Sequence, residues 1–188
     1  MKVYLAGPDV FLQEPVAMSR RKKQICARYG LTGLFPLDVE IDPKADDASI
    51  KIFRANQEMM DSANAIIANL TPFRGPSADA GTVYELGYMA GCGKLCLGYS
   101  NDPSLYAERV AKSTAVKKSR KQHLIDAAGL TVENFGLADN LMIVHALDLY
   151  GCPLVVPRQP PEDIWHDLSS FEACVRLAAE QLAAPASD

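Results

Sequence analysis

The densest group of reactive side chains is Asn69-Leu70-Thr71-Pro72-Phe73-Arg74-Gly75-Pro76-Ser77-Ala78-Asp79-Ala80-Gly81-Thr82-Val83-Tyr84-Glu85. It follows an apolar run and enters a helical pattern, the place where an open α/β sheet presents its chemistry. Glu85, read as the third helical residue, faces the positive end of the helix dipole, which favours an ionised carboxylate. An ionised, positioned carboxylate is the nucleophile that an acetal-type carbon needs. The same residues have a plain structural use. Thr82-Val83-Tyr84-Glu85 matches the capping box, in which the Glu bonds the N-cap amide, and Asp79 before Gly81 suits a turn. Spacing alone leaves both readings open. Tyr4 and Phe11, flanking Gly7-Pro8, suit strand-end packing, and Met59, Met60 and Met89 suit core filling.

Other chemistries find little support. Five cysteines, an odd count, argue against a disulfide framework. Cys92 and Cys96 have no second Cys or His pair nearby and read as two buried small hydrophobes. His123, His145 and His166 share no ligand spacing, so neither a metal nor a histidine-based site is expected. The sequence contains neither G-x-G-x-x-G nor G-x-x-x-x-G-K-[ST], and no cofactor is expected.

The elements that must position these residues alternate. Val3 to Ala6 reads as a first strand, and residues 15–29 as an amphipathic helix stopped by Gly30. Leu31 to Phe35 reads as a strand, Asp38 to Ala48 as an acidic loop, and Ile50 to Ala63 as a helix offering Ile52, Phe53, Met59, Met60 and Ala63 to one face. Ala65 to Leu70 is the clearest buried strand. Thr82 to Cys92 follows as a helix and Leu95 to Tyr99 as a strand. This βαβαβαβ order predicts a parallel sheet covered by helices on both faces. Catalytic groups then belong on the loops Gly7–Gln13, Pro36–Asp47 and Thr71–Gly81, which leave the strand ends, or on the first turn of the helix that follows. Further on, Asn140 to Leu149 and Ile164 to Leu182 read as helices joined by a Pro-rich connection, and Pro185 to Asp188 as a frayed end. Lys112, Lys117, Lys118, Arg120 and Lys121 read as a solvated face.

The 188 residues allow one domain, 1–188, with 152–188 as a C-terminal helical extension. A composition of 48% hydrophobic and 22% charged residues excludes whole-chain disorder. A net charge of −4 argues against a nucleic-acid partner. No apolar run reaches the roughly 20 residues of a membrane span. The apolar start ends at Gly7-Pro8, too short for a signal-peptide core. A cytoplasmic protein is expected, with Asn69-Leu70-Thr71 an accidental sequon.

The sequence resembles the nucleoside 2-deoxyribosyltransferase family. The resemblance rests on Tyr4-Leu5-Ala6-Gly7-Pro8 with Phe11, on Asn69-Leu70-Thr71-Pro72-Phe73-Arg74-Gly75, on Asp79-Ala80-Gly81-Thr82-Val83-Tyr84-Glu85-Leu86-Gly87-Tyr88, and on Asp139-Asn140-Leu141-Met142. It implies a flavodoxin-like three-layer α/β sandwich with a four- to five-stranded parallel sheet, and a pentosyltransferase acting on a 2′-deoxynucleoside and a free nucleobase. Glu85 would be the nucleophile and form a covalent deoxyribosyl ester. Asp79 would hold the sugar hydroxyls and Tyr4 would orient Glu85. Gly7, Phe11 and Asn56 would contact substrate, Phe11 by packing on the base. Some members carry an Asp at the position of Asn56 to help protonate the leaving base, and Asn cannot be a general acid. Asn140, with Met142 beside it, would complete the site of a neighbouring subunit, which implies a homo-oligomer, dimer or hexamer. Two alternatives share the scaffold: a 2′-deoxynucleoside 5′-monophosphate N-glycosidase and a non-catalytic nucleoside-binding module.

Overall fold

A computed structural model of the protein describes residues 1–184. Strand β1 (Lys2–Ala6) leads through a single 3-10 turn (Pro8–Phe11) to helix α1 (Pro15–Arg28). Then follow β2 (Thr32–Leu34), α2 (Ala48–Ser62), β3 (Ala65–Asn69), α3 (Ala80–Gly91) and β4 (Leu95–Tyr99). The strands lie in the order β2-β1-β3-β4, all parallel. Beyond β4, Gly151 bridges to Cys96 and Val155 to Tyr99, both in parallel, so the segment 151–155 meets that edge of the four-stranded sheet at two isolated points. Only glycine fits at 151, because a Cβ there would run into the Cys96 carbonyl.

Alternation along the strands builds two cores. Val3, Leu5, Ile67 and Leu97 face α1 and the C-terminal helix α6 (Ser169–Ala183). Tyr4, Ala6, Ile66, Ala68 and Cys96 face the other layer, formed by α2, α3 and α5 (Leu141–Tyr150). The expected three-layer arrangement is therefore present, and α6 supplies Phe171, Cys174, Val175 and Ala178 to one core. Between β4 and α5 stand α4 (Tyr106–Ser113) and a small hairpin, β5 (Lys117–Lys118) with β6 (Leu124–Ile125), where the basic residues lie exposed.

Four sequence expectations need correction. Helix α3 begins at Ala80, not Thr82. The last helix begins at Ser169, not Ile164. Asn101 Nδ2 draws the Ile164 and Asp167 carbonyls aside at 2.8 and 3.0 Å, and Asp163 Oδ1 accepts from the amides of Trp165 and His166, so residues 164–166 form a turn instead of a first helical turn. Cys92 is exposed, since it caps α3, whereas Cys96 is buried as expected. Met60 and Met89 fill the core as read, but Ile52 and Phe53 stay exposed on α2. Residues 185–188, read as frayed, lie outside the described part. Among the described residues no helix is long and apolar enough to cross a membrane.

Candidate active site

Because Tyr4 and α3 share one face of the sheet, the phenol of a buried strand residue reaches Glu85. Tyr4 Oη donates to Glu85 Oε1 at 2.6 Å. Asp79 is the N-cap of α3, its Oδ2 accepting from Thr82 N at 2.9 Å and Thr82 Oγ1 at 3.0 Å. The capping box that the spacing allows at Thr82 does not form; Asp79, one turn earlier, is the cap. Glu85 lies in the second helical turn, where the dipole contributes little. Burial instead raises its carboxyl to about 7, opposed by the Tyr4 hydrogen bond and helped by the Asp79 charge. The expectation of a dipole-ionised carboxylate is therefore corrected: the carboxylate is poised near neutrality. The Tyr4 phenol is pushed well above its ordinary range by burial, then by the charge and hydrogen bond of Glu85, and remains a donor.

Glu85 and Asp79 face a cleft of about 330 Å³ together with Gly7, Phe11, Asn56, Thr82 and the apolar side chains of Val10, Leu37 and Ile52. The loops after β1 and β2 and the start of α3 form its walls, at the carboxyl ends of the strands. Within it Asn56 Oδ1 is buried and has no hydrogen-bond partner. An orphan acceptor of this kind favours a ligand N–H. Phe11 is 56% exposed and stacks on Phe73 at 5.3 Å between centroids. The Arg74 guanidinium covers both rings, 5.2 Å from Phe11 and 4.6 Å from Phe73.

Two predicted site residues lie elsewhere in the chain. Asn140 and Met142 line a separate cavity of about 580 Å³ between α3 and α5. Asn140 caps α5, its Oδ1 accepting from Met142 N at 3.0 Å and its Nδ2 donating to Glu133 Oε1 at 2.8 Å. Sequence reasoning missed Asp139, which is buried and accepts from Ser77 Oγ, from Ala78 N at 3.0 Å and from Arg109 at 3.3 Å. This carboxylate ties the loop before Asp79 to the start of α5. Its place beside Asn140 in the motif was the available signal. A larger groove of about 880 Å³ runs between α1 and the start of α6 on the opposite face. Its charged groups are already engaged, as Arg28 with Glu172 and Arg21 with the His166 carbonyl. No group of three metal-ligating side chains occurs among the described residues.

The family model for nucleoside 2-deoxyribosyltransferase matches residues 3–142, which include every residue of the cleft. The chain belongs to the nucleoside 2-deoxyribosyltransferase family. A curated relative, the uncharacterized protein C191.05c of Schizosaccharomyces pombe, is 36% identical over 155 residues, covering 74% of each chain. Among solved structures, a 2-desoxiribosyltransferase from Leishmania mexicana superposes with a TM-score of 0.64 at 28% identity, covering 93% of this chain and 96% of its own. A conserved protein from Enterococcus faecalis V583 shares the fold alone, with a TM-score of 0.56 at 18% identity over 94% and 97% of the two chains. A nucleoside 2-deoxyribosyltransferase fold thus frames the Tyr4–Glu85–Asp79 geometry.

Proposed function

We propose that the protein exchanges the base of 2′-deoxynucleosides through a deoxyribosyl ester on Glu85. The supporting observation is a half-buried Glu85 whose Oε1 is held by Tyr4 while the side chain faces a cleft shared with Asp79. Glu85 Oε2 attacks C1′, the C1′–N bond breaks, and its electron pair leaves with the base, which takes a proton from water because Asn56 cannot supply one. A nitrogen of the second base then attacks C1′ from the original face. The ester C1′–O bond breaks, Glu85 leaves as carboxylate, and the incoming nitrogen loses its proton. Two inversions give net retention. Asp79 accepts hydrogen bonds from the sugar hydroxyls, and Phe11 and Asn56 hold the base by stacking and by the orphan Oδ1. A 2′-hydroxyl withdraws electrons and opposes an oxocarbenium-like transition state, which favours deoxy over ribo substrates.

The charged groups lining the cleft are two acids, Asp79 and Glu85. A phosphate dianion would be repelled at contact distance, so free nucleosides suit it better than monophosphates. Incubation of deoxyadenosine with cytosine is expected to yield adenine and deoxycytidine, with a one-sugar mass adduct on Glu85 in quenched enzyme. Free adenine and deoxyribose phosphate from dAMP, without exchange, would overturn this reading. So would equal turnover of inosine and deoxyinosine.

A further inference from the structure

Beneath the first loop of the cleft lies a buried ion pair. Asp9, in the 3-10 turn, and Lys22, in the middle of α1, are each 1% exposed. Lys22 Nζ is 2.7 Å from Asp9 Oδ2 and hangs over the rings of Tyr99 and Phe171, at 5.5 and 5.0 Å. The same carboxylate oxygen accepts from Asn69 Nδ2 at 3.2 Å. Asn69 Oδ1 accepts from Thr71 N at 3.1 Å, and Thr71 Oγ1 from Asn101 N at 3.0 Å. One polar chain therefore joins α1 to the loops that leave β1, β3 and β4. Asp9, Lys22 and Asn69 do not line the cleft.

Taking two ions out of water cancels much of their attraction, and apolar replacements of similar volume are commonly neutral or stabilising. Stability alone therefore gives no reason for a buried pair here. Apolar side chains lack the directional constraint that the pair and its amide partner impose. The Asp9 carboxylate folds back against Gly7, where a Cβ would touch it and would lie 2.7 Å from Asn69 Cβ. Gly7, Val10 and Phe11 all line the cleft from this short turn. Phe11 is mostly exposed, so the turn and the stack on Phe73 under Arg74, rather than the core, set where its ring stands.

We infer that the Asp9–Lys22 pair, pinned by Asn69, is a positioning device that fixes the Phe11 loop against the base, acting on base binding rather than on bond making at Glu85. The inference rests on the base-exchange reading, and its test separates the two. The only tryptophan, Trp165, sits edge-on to Phe73 at 6.1 Å, and Phe73 stacks on Phe11, so its emission reports on this loop. Free adenine is titrated against emission in the absence of any sugar donor, beside steady-state exchange and thermal unfolding. In the apolar variant Asp9→Leu/Lys22→Met, apolar packing offsets the lost ion pair but buried Asn69 Nδ2 loses its acceptor, so the unfolding midpoint is expected to fall by no more than a few degrees. The adenine midpoint and the KM for acceptor adenine should both rise about tenfold, with kcat changed less than about threefold. A wild-type protein whose emission responds to adenine without exchange would sink the proposed function and leave this inference standing. A stable double variant with unchanged KM and titration would overturn the inference, as would a loss of kcat in step with stability. If the double variant does not fold, Asn69→Ala decides, with a raised KM at unchanged kcat in favour and an unchanged KM against.

Discussion

At neutral pH the Glu85 carboxyl is divided between its acid and ionised forms, because burial holds it near 7 despite the Tyr4 hydrogen bond. Only the carboxylate attacks carbon, so kcat/KM is expected to rise with pH up to about 7 and then level off, which a pH–rate profile measures. Tyr4 donates to the charged form and lowers this pKa, so Tyr4→Phe should move the acid limb of the profile to higher pH as well as slow turnover. A limb that stays in place would show that Tyr4 does not set the charge of Glu85. The same shift has a stability consequence. Between the ordinary value of 4.5 and about 7 the folded protein holds a proton that the unfolded chain has released. Stability therefore falls as pH rises through that window, and above it the ionised group costs up to about 3 kcal/mol. Glu85→Gln, an isostere of the acid form, should abolish exchange yet unfold at higher temperature than wild type at pH 8, the gain shrinking toward pH 5.

At the scale of elements, α3 combines a cap with a site. Asp79 closes the helix start and also presents its carboxylate to the cleft. These roles separate by substitution. Asp79→Ala should lose the cap, worth about 1 kcal/mol, together with activity, whereas Asp79→Ser should keep most of the stability and still lose sugar binding, read as a raised KM for the donor. Equal melting temperatures for the two variants would argue against the cap. The helix start also shows what the sequence could and could not convey. Asp79 and Thr82 are both good N-caps three positions apart, and local spacing has no means of choosing between them. The choice depends on where the loop after β3 is anchored, and buried Asp139, distant in sequence, anchors it at Ser77 and Ala78. The four strands were legible because each is a short apolar run between loops. The edge pairing beyond β4 was not, since Gly151 and Val155 meet β4 at two isolated bridges in a stretch that carries no alternation. Glu85, Asp79, Phe11 and Asn56 are readable from the family motifs in the sequence and line one cleft. The walls formed by Leu37 and Ile52 were missed, because apolar loop and helix-surface residues look solvated until the cleft between them is seen.

Across the whole molecule, the layer that carries Glu85 is also the one left apolar at its surface. Phe53 of α2 and Tyr84 of α3 lie exposed with ring centroids 6.4 Å apart, and Met142, Leu149 and Tyr150 of α5 are exposed too. Apolar groups gathered in this way on one layer suit contact with another copy. Asn140 sharpens the argument. Its amide is bonded to Met142 N and Glu133 in a cavity whose lining does not include Glu85, so within one chain it stands outside the candidate cleft. If Asn140 acts in exchange, it acts on a neighbour's substrate. Two dead variants should then rescue each other. Glu85→Gln supplies an intact Asn140, and Asn140→Ala supplies an intact Glu85. Random pairing of the two about a two-fold axis leaves one whole site in each mixed dimer, or roughly a quarter of wild-type activity. Co-expression followed by the exchange assay measures this. Activity no greater than that of the separate variants would confine each site to its own chain and remove the reason for an obligate oligomer.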